Sequence, residues 1–224
     1  MNGMLDQAFK YNQDLSSWQV GRVATAEAMF RGAQAFNQDL SSWNTSSLTT
    51  MKDVFFEAKA FNGNIFHWDV SHVTSMLRLF HCAIIFDQNL YWDVSSVIYF
   101  AGAFATATNF NGDISSWDTS NVEDMSLMFF EAASFNRDVS SWNVDKARNM
   151  KQLFNEALAF SQDISNWDTS NVQSMHCSSG RQEHSMLLSA HGMYRRCKIS
   201  LACSMRQHSL IHRCPPGIQV ALPT

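Results

Sequence analysis

Apolar and polar positions along this chain form one pattern that recurs from end to end of its first three quarters. Tyr11, Phe36, Phe61, Phe86, Phe110, Phe135 and Phe160 fall in one aromatic column, and Phe30, Phe55, Phe80, Phe104, Phe129 and Phe154 in a second. Ala8, Ala33, Ala58, Ala83, Ala107, Ala132 and Ala157 align as a small-residue column, and Leu15, Leu40, Ile65, Leu90, Ile114, Val139 and Ile164 as an aliphatic one. The seven tryptophans, Trp18, Trp43, Trp68, Trp92, Trp117, Trp142 and Trp167, follow at steps of 25, 25, 24, 25, 25 and 25 residues. A fixed period of this length marks a tandem array in which each unit rests on its neighbours and buries little alone.

Within a unit the hydrophobic spacing predicts two elements. Ile114, Trp117 and Thr119 fit the L-x-x-L-x-L frame of a leucine-rich repeat, with Trp117 and Thr119 on one face of a short strand. Met125, Met128, Phe129 and Ala132 then lie at i, i+3, i+4 and i+7, the stripe of a short amphipathic helix. Ser120 with Glu123 resembles a capping box for that helix; Ser170 with Gln173 and Ser71 with Thr74 are its variants. Phe-Asn-x-Asp marks the turn back, where Asn and Asp side chains hydrogen-bond nearby backbone. The expected fold is an α/β solenoid, a leucine-rich-repeat-like stack of about seven 25-residue strand-plus-short-helix units. Tryptophan in a leucine position of the frame should face the core rather than offer a ligand platform. The 24-residue step removes one residue between Leu90 and Trp92, which should distort the fourth unit, and Phe100 with Ala103 there is a compensating large-for-small exchange.

The periodicity divides the chain into a repeat region, 1–175, and a non-repeat tail, 176–224. Met1 enters inside a unit, with Met4 and Leu5 already in the Met-Phe columns, so the repeat region reads as N-terminally incomplete and lacking a polar cap. In the tail all three prolines appear, with four of the five cysteines and five of the eight histidines. Arg181, Arg195, Arg196, Lys198, Arg206 and Arg213 oppose only Glu183 there, a net of +5 that leaves −9 for the repeats within a total of −4. A break in every statistic at once suggests disorder, or a frame shift or read-through.

Charge and composition then exclude several classes. The chain has no run of 18 or more apolar residues, so no membrane-spanning helix is expected, and no basic segment followed by an apolar one begins it as a signal peptide would. Cys82 is the one cysteine of the repeats, so disulfides are expected to contribute nothing there. An acidic repeat region lacks the basic stripe that nucleic-acid binding through phosphates requires.

Candidate chemistry lies in two polar columns. Asp14, Asp39, Asn64, Asn89, Asp113, Asp138 and Asp163 form the first; Gln19, Asn44, Asp69, Asp93, Asp118, Asn143 and Asp168 form the second. Stacked carboxylates repel, and either a ladder of calcium or another hard cation, or backbone amides at each turn, must offset that repulsion. The amide explanation is favoured, because the glycine-rich calcium repeat is absent. Cys197, Cys203, Cys214, His191, His208 and His212 lack zinc-site spacing. His67, His72 and His81 cluster in the third unit at variable columns and are expected to face solvent. No G-x-S-x-G, phosphate-cradling loop or recurring nucleophile and histidine pair occurs, so catalytic, cofactor-binding and metal residues are all assigned as none.

The segments Phe36-Asn-Gln-Asp-Leu-Ser-Ser-Trp-Asn-Thr-Ser46 and Trp117-Asp-Thr-Ser-Asn-Val-Glu-Asp-Met125 resemble BspA-like leucine-rich-repeat surface proteins. The likeness is to their mycoplasma-lipoprotein-type repeat of unknown function, whose unit looks like M-F-x-x-A-x-x-F-N-Q-D-I-S-S-W-D-V-S-N-V-x-x-M. It covers residues 1–175 and no part of 176–224. The resemblance implies a non-catalytic, secreted or cell-surface protein that binds a macromolecule, with adhesion as its usual role and a protein or glycan as partner. The alternative is a soluble intracellular protein-protein interaction scaffold.

Overall fold

A computed structural model describes residues 1–175 of the chain, and the expectations placed on 176–224 lie outside the described residues. Successive repeats lie on one another in parallel, joined by backbone hydrogen bonds between residues about one period apart. Among the described residues there is no helix, and the β-pairing of described residues with one another consists of isolated parallel bridges along one column, from Thr25 and Thr50 through Ser75, Tyr99, Asp124 and Asn149 to Ser174. The strand-plus-helix α/β solenoid is therefore corrected: each repeat is built from turns joined by coil.

The helical-looking stripe is a pair of tight turns. Met128 N–H returns to Met125 O at 3.2 Å and Ala132 N–H to Phe129 O at 3.1 Å. The third residue of each turn has positive φ, 58° at Leu127 and 54° at Glu131, which is the signature of a type II turn. Amides of Met125, Leu127, Phe129 and Glu131 leave the repeat altogether, donating to Asn149, Lys151, Leu153 and Asn155 carbonyls at 2.8–2.9 Å. An α-helix would commit every one of those amides to its own i−4 carbonyl and could not accommodate a left-handed residue every fourth position. Spacing of three between inward residues is common to helices and to i+3→i turns, and here the amides shared with the next repeat decide for turns. The same two columns hold all fourteen positive-φ residues of the described chain, eleven non-glycine and three glycine (Gly3, Gly32 and Gly102).

The expected strand is likewise a turn, closed by Trp117 N–H to Ile114 O at 3.2 Å and followed by another from Val122 N–H to Thr119 O at 3.0 Å. The capping box is absent for the same reason: Ser120 N–H donates to Asp118 Oδ1 at 3.0 Å, and Glu123 N–H to Ile98 O at 2.9 Å.

The core is three aromatic columns. Rings of the inner phenylalanine series, Phe30 to Phe154, follow one another at 5.3–5.6 Å, and those of the outer series from Tyr11 to Phe160 at 5.9–6.3 Å. The two series also stack within each repeat, for example Phe80 on Phe86 at 3.8 Å. Trp43, Trp68, Trp92, Trp117, Trp142 and Trp167 are buried, and each indole Nε1 donates to the aliphatic-column carbonyl of the repeat before it. The tryptophans thus serve the core, as their frame position suggested, and the indole N–H gives each a polar partner there.

At the 24-residue step the closing turn before Trp92 is lost, yet Trp92 Nε1 still reaches Ile65 O at 3.2 Å. Distortion is confined to the loop, and Phe100 packs its ring on Trp117 at 5.1 Å.

One core position is imperfect. Thr45 Oγ1 is buried without a hydrogen-bond partner, whereas the equivalent Thr119 hydroxyl donates to Asn143 O at 2.7 Å, and valine occupies the same column in four other repeats, as Val20, Val70, Val94 and Val144. Thr45→Val should raise stability by about 1 kcal/mol, read as a higher urea midpoint at unchanged slope. A lower midpoint would contradict this.

Candidate functional site

The polar side chains of the repeat are mostly engaged in holding one repeat to the next. Oδ1 of Asn12, Asn37, Asn62, Asp87, Asn111 and Asn136 each accepts the amide of the residue one period on, at 2.7–3.0 Å. The asparagine of Phe-Asn-x-Asp was expected to bond its own turn, and instead it forms a ladder through the stack. Its near-constancy beside the aromatic column was the available signal, since a purely local turn tolerates Ser, Gly or Pro equally.

The two acidic columns do serve their own turns. Asp14, Asp39, Asp113, Asp138 and Asp163 accept the amide two residues on at 2.8–3.0 Å, as do Asp69, Asp93, Asp118 and Asp168 in the second column at 3.0 Å. The backbone amide of the following serine, helped by its hydroxyl, holds the carboxyls of Asp14, Asp113, Asp118, Asp138 and Asp163 below the usual range. The Ser71 hydroxyl does so for Asp69, and the Arg31 guanidinium for Asp6. Among the described residues no grouping of three or more His, Cys, Asp or Glu side chains is placed to hold a metal ion.

These depressed values fix the sign of an acid effect. A carboxyl whose pKa is lower folded than unfolded stabilises the fold at any pH above the unfolded value, and that contribution is lost as pH falls through the folded one. Melting temperature should therefore be level from about pH 7 to about pH 5 and fall below about pH 4. A stack whose melting temperature stays constant down to about pH 2 would show that the serine turns contribute nothing through these charges.

Of the third-repeat histidines, His67 and His72 are exposed, but His81 is buried and stacks on Phe56 at 4.8 Å. Its solvent-facing expectation is corrected. Its column lies between the two left-handed positions, where side chains of successive repeats cover one another, as Arg31 meets Asp6. Beside it Arg78 lies over Phe56 and holds the buried Asp53 carboxylate through two bonds of 2.8 Å. The tail cysteines and histidines considered for zinc lie outside the described residues. No helix among the described residues is long and apolar enough to cross a membrane.

Among the described residues a departure from the polar exterior that groups residues together falls on the serine turn. Ser16-Ser17, Ser41-Ser42, Ser115-Ser116 and Ser140-Ser141 occupy this turn in four repeats, and Ser165-Asn166 in a fifth. In the third it carries Phe66-His67, and in the shortened fourth it is reduced to Tyr91. Phe66 meets Tyr91 edge to face at 5.5 Å and His67 at 4.7 Å, with Phe66 42% and Tyr91 52% exposed. The residue opening the turn also changes, since the Asp of the other repeats is Asn64 and Asn89 in these two.

The profile of a family described as Mycoplasma protein of unknown function, DUF285, matches residues 1–91 and again residues 88–185. A comparison with curated proteins finds no match.

Proposed function

We propose, for a chain that belongs to the DUF285 family, that it is a binding module presented at the cell surface or secreted, which engages a macromolecule and catalyses no reaction. The observation that carries this reading is the division of labour within each repeat. Inward columns and the asparagine and aspartate bonds are nearly the same in every repeat, whereas several outward positions vary, among them the turn that carries Phe66-His67 in the third repeat and Tyr91 in the fourth. Repetition that fixes the interior and frees the exterior produces an extended surface suited to recognition. The likeness of the units to BspA-like surface repeats supports the location, and a solenoid-like stack suits adhesion.

The experiment is antibody labelling of intact producing cells, with a binding screen of the purified chain against immobilised proteins and glycans. Labelling without permeabilisation and saturable binding are expected. Labelling only after permeabilisation would overturn the surface reading, and the absence of saturable binding would overturn the interaction reading.

A further inference from the structure

We infer that Phe66, His67 and Tyr91, flanked by Asn64 and Asn89, form a subsite for a neutral saccharide. The inference deepens the binding-module reading and depends on it for its biological sense.

The fold does not require these aromatics. The same turn is made with serine in the neighbouring repeats, and about half of the Phe66 and Tyr91 surface stands in solvent. Exposed aromatic rings that lie together on an otherwise hydroxyl- and amide-rich face mark an interaction site. In an edge-to-face pair one ring presents its rim to the other, so that contact covers neither of its own faces. An uncovered π face carries partial negative charge and complements the apolar, slightly positive C–H face of a pyranose ring.

The change from Asp to Asn supplies the polar half. Asn64 Oδ1 still accepts the Phe66 amide at 3.1 Å, and Asn89 Oδ1 accepts the Asp113 amide at 2.8 Å, so the structural duty needs only an oxygen. What an amide adds is an N–H donor, which a carboxylate lacks. Neither Asn64 Nδ2 nor Asn89 Nδ2 makes a hydrogen bond among the described residues. Sugar hydroxyls both donate and accept, so a turn offering donor and acceptor beside an aromatic face suits them. The net charge of −9 on residues 1–175, left when the +5 tail is taken from the total of −4, disfavours sulfated or phosphorylated glycans. A protein partner is disfavoured as well, because a specific interface needs about 800 Å² per side around its anchors, and serine, asparagine and aspartate turns surround this cluster.

The full chain is titrated calorimetrically with linear hexasaccharides of glucose, of mannose and of galactose, with a sulfated galactan as the charged control. At least one neutral hexasaccharide should bind with Kd of about 1 mM or tighter. Phe66→Ser and Tyr91→Ser, which install the residue other repeats carry, should each weaken it at least about tenfold, and Asn64→Asp should weaken it severalfold. The near-ultraviolet dichroism of the tryptophan stack should not change in any of them. Binding of none of the neutral sugars, binding only of the sulfated one, or affinity unmoved by both serine variants overturns the subsite. If the sugars fail while a protein from the screen above binds, the module reading survives and this one falls; if neither binds, both fall.

Discussion

Trp117→Ala should destabilise the stack by about 5 kcal/mol, near the top of the range for a buried tryptophan. Trp117 is 3% exposed and lies against Phe100 at 5.1 Å and Trp142 at 6.2 Å, so its removal opens a cavity between rings of two repeats. A second loss is peculiar to this position. Its Nε1 donates to Leu90 O at 2.7 Å, the shortest bond of the series, and the one-residue deletion has removed the turn amide that elsewhere shares that carbonyl. Ile114 O, by contrast, receives both Trp142 Nε1 at 3.3 Å and Trp117 N–H at 3.2 Å. Truncating Trp142 therefore leaves a bonded acceptor behind, and truncating Trp117 leaves a buried one without a donor, a difference of about 1–2 kcal/mol. Urea denaturation of the two alanine variants reads it directly. Equal losses would show that the orphaned Leu90 carbonyl finds another donor.

This contrast also shows what the sequence makes legible. The aromatic, aliphatic and alanine columns are written in the chain, since each inward side chain repeats with the period and each proves buried from Phe30 to Phe160. The secondary structure is not. A ladder of type II turns places Met125, Met128, Phe129 and Ala132 at the same spacing as a helix, and the feature that distinguishes the two is the sign of φ at Leu127 and Glu131. Glycine would have announced it, but the left-handed columns hold Ala28, Asp53, Arg78 and Gln152 as well as Gly3 and Gly102, because amides shared between repeats over-determine the backbone and offset a cost of about 1 kcal/mol per residue. Hydrogen bonds between residues one period apart follow from stacking, and no local propensity encodes them.

The candidate site was legible in a similar, partial way. Asn64 and Asn89 are visible as interruptions of an acidic column and His67 as a residue at a variable column, whereas Phe66 and Tyr91 are not singled out by the sequence pattern. Their meeting across two repeats depends on the shortened turn, which places Tyr91 5.5 Å from Phe66 without moving Trp92 out of the core. A repeat alignment treats such positions as drift. Packing gives them significance, since a side chain released from the common frame and still exposed beside another aromatic has no structural reason to be there.

Gly112→Ala is expected to cost about 3 kcal/mol or more, although the substitution adds a single methyl group. A Cβ at Gly112 would lie 2.0 Å from Gln88 O and 2.7 Å from Gln88 C, both backbone atoms of the adjacent repeat, with Phe110 Cε2 at 3.0 Å behind it. Neither neighbour can yield easily. The Gln88 side chain is tied by its Nε2 to Asn62 O and Oδ1 at 3.1 and 3.0 Å, and the Phe110 ring stands in the outer aromatic column, 5.9 Å from Phe86 and from Phe135. Separating the repeats enough to admit the methyl would lengthen the Asp87 to Asn111 rung of the asparagine ladder, now 2.8 Å. Gly21→Ala is the matched control, because its Cβ would first meet Asn44 Nδ2 at 3.2 Å, the amide end of a side chain that Ser46 holds by its Oδ1 on an exposed turn and that can give a few tenths of an ångström where backbone cannot, and the cost should stay within about 0.5 kcal/mol. Thermal melts of the two variants decide: a large loss at Gly112 alone assigns the effect to contact between repeats, whereas a loss at Gly112 no larger than that at Gly21 would show that the adjacent backbone yields to the methyl group.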